Sequence, residues 1–183
     1  MRSGFIVALL ALLAAPAPAA EETFGLLDIT LGSSYARLER DLDFRSITDS
    51  LAAMSGNKPD LGKRGYGCMR RDDAQADIGC VSHVEKLGGI DTREIRLNFL
   101  NGRLYQFSMS AEVQYYNAVV AQLRSRNGAP QPAAAADDNL RWQNESGRIS
   151  AYRGKDLVFV NFELDSYADA VKRKREGASV ECN

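Results

Sequence analysis

The chain is poor in the side chains that most catalytic and metal chemistry needs. Its 183 residues include one histidine, one tryptophan and three cysteines, and 23 basic side chains nearly balance 24 acidic ones. A hydrolytic triad needs a base, most often histidine. His83 stands alone, with no Gly-x-Ser-x-Gly elbow to supply a nucleophile, and reads as a partly exposed strand histidine. The glycines from Gly62 to Gly67 lack the Gly-Lys-Ser/Thr ending of a phosphate loop. No run places acids at every second position around a central glycine, as a calcium loop requires. Asp72-Asp73 and Asp137-Asp138 are adjacent carboxylates, but neighbours in sequence diverge, so both pairs read as solvated turn residues. A net charge so near zero excludes a whole-protein field for nucleic acid or an anionic membrane. An enzyme is not expected, nor is any catalytic residue, cofactor or metal.

Long apolar runs are also missing, except at the start. The segment MRSGFIVALLALLAAPAPAAEET has one Arg, an apolar run from Phe5 to Ala15, and the small-x-small exit Ala17-Pro18-Ala19. That is the layout of a secretory signal peptide. A run of about 11 residues falls short of the ~20 that cross a bilayer, and Pro16 and Pro18 interrupt any continuation. The expectation is a signal peptide over residues 1–19 and export to a periplasm or beyond the cell. With no cysteine near the cut, a lipid-anchored amino terminus is not expected. The remaining 20–183 suits one domain. Lobes at 24–110 and 111–176, with a small-residue linker around 128–139, are the alternative division.

Export places the cysteines where paired thiols oxidise. In GYGCMRRDDAQADIGC, residues 65–80, Tyr66–Arg70 and Asp77–Val84 read as two strands around the polar turn RRDDAQA. A turn centred on Ala74 sets Cys68 opposite Cys80 and Met69 opposite Gly79. Opposed residues across a hairpin lie about 4.5–5.5 Å apart, within bridging reach. A Cys68–Cys80 staple is therefore expected. The metal alternative would use Cys68, Cys80, His83 and Cys182, but structural zinc sites show two tight pairs, and the redox alternative would want Cys-x-x-Cys. Cys182 is left as a free thiol, a bridge to a second chain, or a competitor for the other two.

The hydrophobic periods predict α+β architecture: a mostly antiparallel sheet with helices packed on one face, arranged as two degenerate helix-plus-strands units. FGLLDITLGSSYARLERDL reads as a strand, a turn at Gly32 and a short helix capped by Ser33 or Ser34. Thr92–Ser110 is a hairpin about Asn101-Gly102, both tolerant of positive φ. Its return strand puts Phe107 and Met109 out of phase with Leu104, which a bulge near Tyr105 would repair. Ser110 then caps a helix to Asn127, with Gly128 and Pro130 ending it. Three short strands follow from Leu140, and Asp165 caps a last helix that ends at Gly177.

Leu31-Gly32-Ser33 before a short helix, and the Phe99-x-Asn101-Gly102-x-Leu104 hairpin leading into a helix ended by Gly128-x-Pro130, carry a resemblance. Over about 24–42 and 95–130 the chain resembles small exported bacterial modules of the barrel-assembly small-lipoprotein (SmpA/BamE) type. It is also similar to the β-lactamase-inhibitor-protein type, built of tandem helix-and-sheet units. It lacks the lipid-accepting cysteine of the first and a second disulfide of the second. The resemblance implies a binding or assembly role without catalysis and assigns no residue.

The expected function is an exported, non-catalytic module that binds an unknown protein partner of the cell envelope. The contact surface is the sheet face opposite the helices, with the 68–80 hairpin as a projecting finger carrying Met69, Arg70, Arg71, Asp72 and Asp73. Trp142, Tyr152 and Phe159, on successive strands, form an aromatic platform if they prove exposed together. The basic cluster Lys172–Arg175 reads as a solvated helix end, favoured by the helix dipole. The rival readings are a secreted hydrolase inhibitor and a ligand or metal carrier.

Overall fold

A computed structural model of the chain describes residues 24–42, 44–46, 65–73, 75–82, 86–131 and 139–180. The expected signal segment, the loop at 55–63, His83, the Asp137-Asp138 pair, most of the 128–139 linker and Cys182 lie outside the described residues. The fold is α+β. A two-residue hairpin opens it, β1 (Gly25–Leu26) against β2 (Ile29–Thr30). Helix α1 (Tyr35–Asp41) follows, capped by Ser34, whose hydroxyl accepts the Arg37 N–H at 3.2 Å. The strands after it are β3 (Phe44–Ser46), β4 (Tyr66–Asp73), β5 (Ala76–Ser82), β6 (Lys86–Leu87), β7 (Ile90–Leu100) and β8 (Arg103–Glu112). A turn of 3₁₀ helix leads into α2 (Tyr116–Asn127), then β9 (Asn139–Gln143), β10 (Gly147–Arg153), β11 (Leu157–Leu164) and α3 (Tyr167–Val180).

The main sheet runs in the order β3-β4-β5-β7-β8-β11-β10-β9, with β6 attached to β7. Every pairing is antiparallel except β3 with β4. The strands that follow α1 and those that follow α2 meet where β8 pairs β11, so the sheet is continuous. Alternation sends Ile95, Leu97 and Phe99, Phe107 and Met109, Val158, Val160 and Phe162, and Ile149 and Ala151 to one face. Leu38 of α1 and Val119 and Leu123 of α2 close over them into one core. Phe107 stacks on Phe162, its partner in register, at 3.9 Å between ring centres.

The middle hairpin follows its sequence closely. Asn101 and Gly102 both take positive φ, 49° and 70°, which a two-residue turn between right-twisted strands requires. The pairing steps from Asn98–Gln106 to Phe99–Leu104, leaving Tyr105 as the extra residue of a bulge. Leu104, Phe107 and Met109 therefore all reach the core despite their uneven spacing.

Three expectations are corrected. Ser110 does not cap a helix: β8 continues to Glu112, because Ala111 is buried between Thr92 and Val158 on the neighbouring strands. The β4–β5 turn is shorter than RRDDAQA, since Arg71, Asp72 and Asp73 extend β4 and Asp73 pairs with Ala76. The last helix runs through Gly177 to Val180.

Cys68 and Cys80 are paired in register and bridged, with Cα atoms 4.0 Å apart. Both are buried. Reduction, or Cys68→Ser with Cys80→Ser, should lower stability by about 2–4 kcal/mol, read as a shift in the urea midpoint with and without reductant. An unmoved midpoint would show that the staple contributes nothing. The bulge makes a second prediction. Deleting Tyr105 leaves a regular alternation and should give a cooperative melt, whereas deleting Ser108 turns Met109 and Ala111 out of the core and should abolish it. Equal behaviour of the two deletions in thermal unfolding would contradict this register.

Candidate functional site

The same alternation builds the face of the sheet turned away from α1 and α2. Register aligns its side chains in three rows across the strands. The first runs Tyr152, Phe159, Ser110, Glu94; the second Ser150, Asn161, Ser108, Arg96; the third Arg148, Glu163, Gln106, Asn98, Gly79, Met69. The third row is a hydrogen-bonded ladder. Asn98 Nδ2 donates to Gln106 Oε1 at 2.8 Å, Gln106 Nε2 to Glu163 Oε2 at 3.3 Å, and Arg148 to the other Glu163 oxygen. The charges that β7, β8, β10 and β11 place on the face are paired with one another, and Arg141 of β9 stands opposite Ser150. Arg96 grips Glu94 through two bonds, 2.5 and 3.1 Å, and the carboxylate holds its guanidinium pKa above the ordinary value. Arg93 pairs with Glu112.

Between the first two rows lies a depression of about 310 Å³ lined by Glu94, Ser108, Ser110, Ser150, Tyr152, Phe159 and Asn161. Tyr152 and Phe159 face each other across β10 and β11 and are 48% and 47% exposed, large apolar surface left in water on rigid strands. Gly154, in the turn joining these strands, lies beside both rings. A Cβ there would sit 2.9 Å from the Leu157 carbonyl, so the tight turn excludes a side chain. The expected trio of aromatics is a pair. Trp142 is buried on the opposite face, where its indole N–H donates to the Gly128 carbonyl at 2.9 Å and ties β9 to the end of α2.

The stapled hairpin lies at the other side of the face. It is laid into the sheet between β3 and β7 instead of standing out from it as a finger. Met69, opposite Gly79, is 50% exposed, and Arg70 is exposed. The Arg71 side chain lies over Gly79, its Cδ 2.7 Å from where a Cβ would stand. The backbone places Asp72 and Asp73 at the end of β4. Helix α3 braces the hairpin tip. Tyr167 donates to the Gln75 carbonyl at 3.0 Å, and Lys174 Nζ to the Ala76 carbonyl at 3.0 Å and to Asp77 at 2.7 Å. One member of the basic cluster therefore serves inside the fold. Lys172 lies 3.9 Å from Glu176, and Arg173 and Arg175 are exposed.

Among the described residues no three of His, Cys, Asp and Glu gather as a metal site, and the disulfide removes Cys68 and Cys80 as thiolate ligands. No described helix is long and apolar enough to cross a membrane. No protein-family model, curated protein or solved structure matches the chain.

Sequence reasoning named Tyr152 and Phe159 but missed their polar surroundings, and it grouped Trp142 with them. The signal was present in the alternation. Leu140 and Trp142 share a phase against Arg141 and Gln143, whereas Tyr152 and Phe159 fall in phase with Arg148 and Ser150, and with Asn161 and Glu163.

Asp77 holds the brace. It accepts from Lys174 and, at 2.6 Å, from the Asn101 N–H, and the Lys174 bond above all holds its carboxyl below the ordinary carboxylate range. A depressed folded pKa stabilises above the unfolded value and loses that contribution as pH falls through the folded one. Asp77→Asn should therefore cost about 1 kcal/mol near neutral pH, the scale of a partly exposed pair. The cost should shrink below the ordinary carboxylate range. Faster hydrogen exchange in α3 at neutral pH would accompany it; unchanged exchange there would count against the brace.

Proposed function

We propose that the chain is a non-catalytic protein-binding module of the bacterial cell envelope that meets its partner through the open face of the sheet at the stapled hairpin. The observation that carries the reading is the exposure of Met69 on a strand fixed by a disulfide on one side and by α3 at the tip. A flexible thioether half in water on an otherwise rigid strand suits a contact that adapts to a partner's surface. Preorganisation reduces the entropy cost of binding, and a disulfide and a helical brace both supply it. Arg71, whose side chain lies over Gly79 opposite Met69, adds a charge at the rim of the patch, where charges set partner choice and association rate more than affinity. The disulfide fits an exported protein, and the amino-terminal segment read as a signal peptide supports the same location.

The test is capture from a cell-envelope extract on the immobilised chain, with Met69→Asp and the distant surface change Arg124→Ala compared in parallel. Both sites are exposed, so both variants should melt like the parent. The expected result is one envelope protein retained by the parent and Arg124→Ala and lost at least about tenfold with Met69→Asp. The same proteins on all three supports, or none on any, would refute the hairpin as the contact.

A further inference from the structure

Five strand spacings separate Met69 on β4 from Tyr152 on β10, about 24 Å at ~4.8 Å per strand. The depression around Tyr152 and Phe159 is thus a second feature of the face, independent of the hairpin. Its chemistry is specific. The charged groups around it already have partners: Glu94 pairs with Arg96, Arg93 with Glu112 and Arg148 with Glu163, and Arg141, opposite Ser150 on β9, has a partner of its own. The neutral polar groups are not. Among the described residues, the side chains of Ser108, Ser110, Ser150 and Asn161 make no hydrogen bond to the rest of the chain. Hydroxyl and amide groups with unused donors and acceptors therefore form the floor, and two half-exposed rings form one wall.

We propose that this depression is a binding site for a neutral saccharide. A pyranose ring presents an apolar C–H face, which stacks on an aromatic ring, and a rim of hydroxyls that both donate and accept. Ser hydroxyls and an Asn amide can answer each role, since each offers a donor and an acceptor. A charged ligand would have to displace a partner that each of these charged groups already holds, and the Arg–carboxylate pairs among them are the strong hydrogen bonds of a surface. A purely apolar ligand would bury four unpaired polar side chains at about 1–3 kcal/mol each. A volume of about 310 Å³ is at the small end of ligand sites, in keeping with one or two sugar rings in contact and the remainder of a glycan in solvent. All the floor and wall residues stand on β8, β10 and β11, so the site needs no loop to close over it.

The experiment is an amide-resonance titration of the ¹⁵N-labelled mature chain with three soluble neutral probes: the tetramers of β-1,4-linked N-acetylglucosamine, β-1,4-linked glucose and α-1,4-linked glucose, each to about 10 mM. The expected result is saturable shifts confined to 108–110, 150–152 and 159–161 with at least one probe. Tyr152→Ala and Phe159→Ala should each weaken that binding about tenfold or more, while Tyr152→Phe and Met69→Asp retain it. Matching thermal melts show that the exposed-site variants are folded. No shift with any probe, or shifts indifferent to Tyr152→Ala and Phe159→Ala, overturns the proposal. It is equally overturned if those two changes abolish capture of the envelope protein and no sugar binds, because the rings then belong to a protein interface. Failure of the Met69→Asp capture experiment alone leaves the saccharide result standing, so the two readings fail separately.

Discussion

The pairing of β7 with β8 lies at the middle of the sheet, and its register decides what every neighbouring strand presents to each side. β5 takes its alignment from β7, and β11 takes its alignment from β8. The start of the chain is tied to the same hairpin. The Gly32 N–H donates to the Leu104 carbonyl, the Leu104 N–H to the Ser33 carbonyl and the Tyr35 N–H to the Gly102 carbonyl, and the Tyr35 ring meets the edge of Phe99 at 5.1 Å. The single extra residue at Tyr105 is what allows Leu104 and Phe107 to point the same way. A sheet without it would have to expose one set or the other, because side chains alternate strictly along a regular strand.

Once that register is fixed, the two faces differ in kind. One is closed by α1 and α2 and holds the large apolar residues; α2 is tied down by Asn127, which bonds to both backbone groups of Gly25, and by Arg126, which reaches the Leu27 carbonyl. The other keeps polar side chains in rows, satisfying the third laterally in the Asn98–Gln106–Glu163–Arg148 ladder and leaving Ser108, Ser110, Ser150 and Asn161 to solvent. Lateral satisfaction lets this face remain uncovered: a one-sided antiparallel sheet is stable in water when its outer groups are solvated or paired. Lys174 of α3 crosses to Asp77 near the sheet end, beyond the third row, so the first two rows lie away from its contacts.

Much of this was legible because local signals carried it. The Cys68–Cys80 register followed from counting outward from a turn, the positive φ of Asn101-Gly102 from residue type, and the bulge from the phase conflict between Leu104 and Phe107. What was illegible depended on groups far apart in sequence. Nothing near Trp142 shows that its N–H will find the Gly128 carbonyl, and nothing in the 172–175 cluster marks Lys174 as the member that will bond to Asp77, 97 residues away. Strand order is of the same kind: β11 lies beside β8 because their inward residues Phe162 and Phe107 stack, a fact written in neither strand alone. The helix expected from Ser110 failed where a cap-like residue met a competing tertiary demand, the burial of Ala111.

The internal pairing of charge on the open face has a kinetic consequence as well as a chemical one. Opposite charges held within a hydrogen bond of each other project little field beyond a few ångströms, and salt at physiological strength screens the remainder over about 8 Å. Association at the aromatic pair is therefore not steered from a distance, unlike binding at surfaces lined by one sign of charge. Recognition there rests on contacts made only on arrival, ring stacking and neutral hydrogen bonds, whose strength depends on geometry. Geometry is what the fold supplies. Tyr152 and Phe159 stand on paired strands whose inner neighbours Ala151, Val158 and Val160 are locked in the core, so the rigidity of the closed face is transmitted directly to the open one.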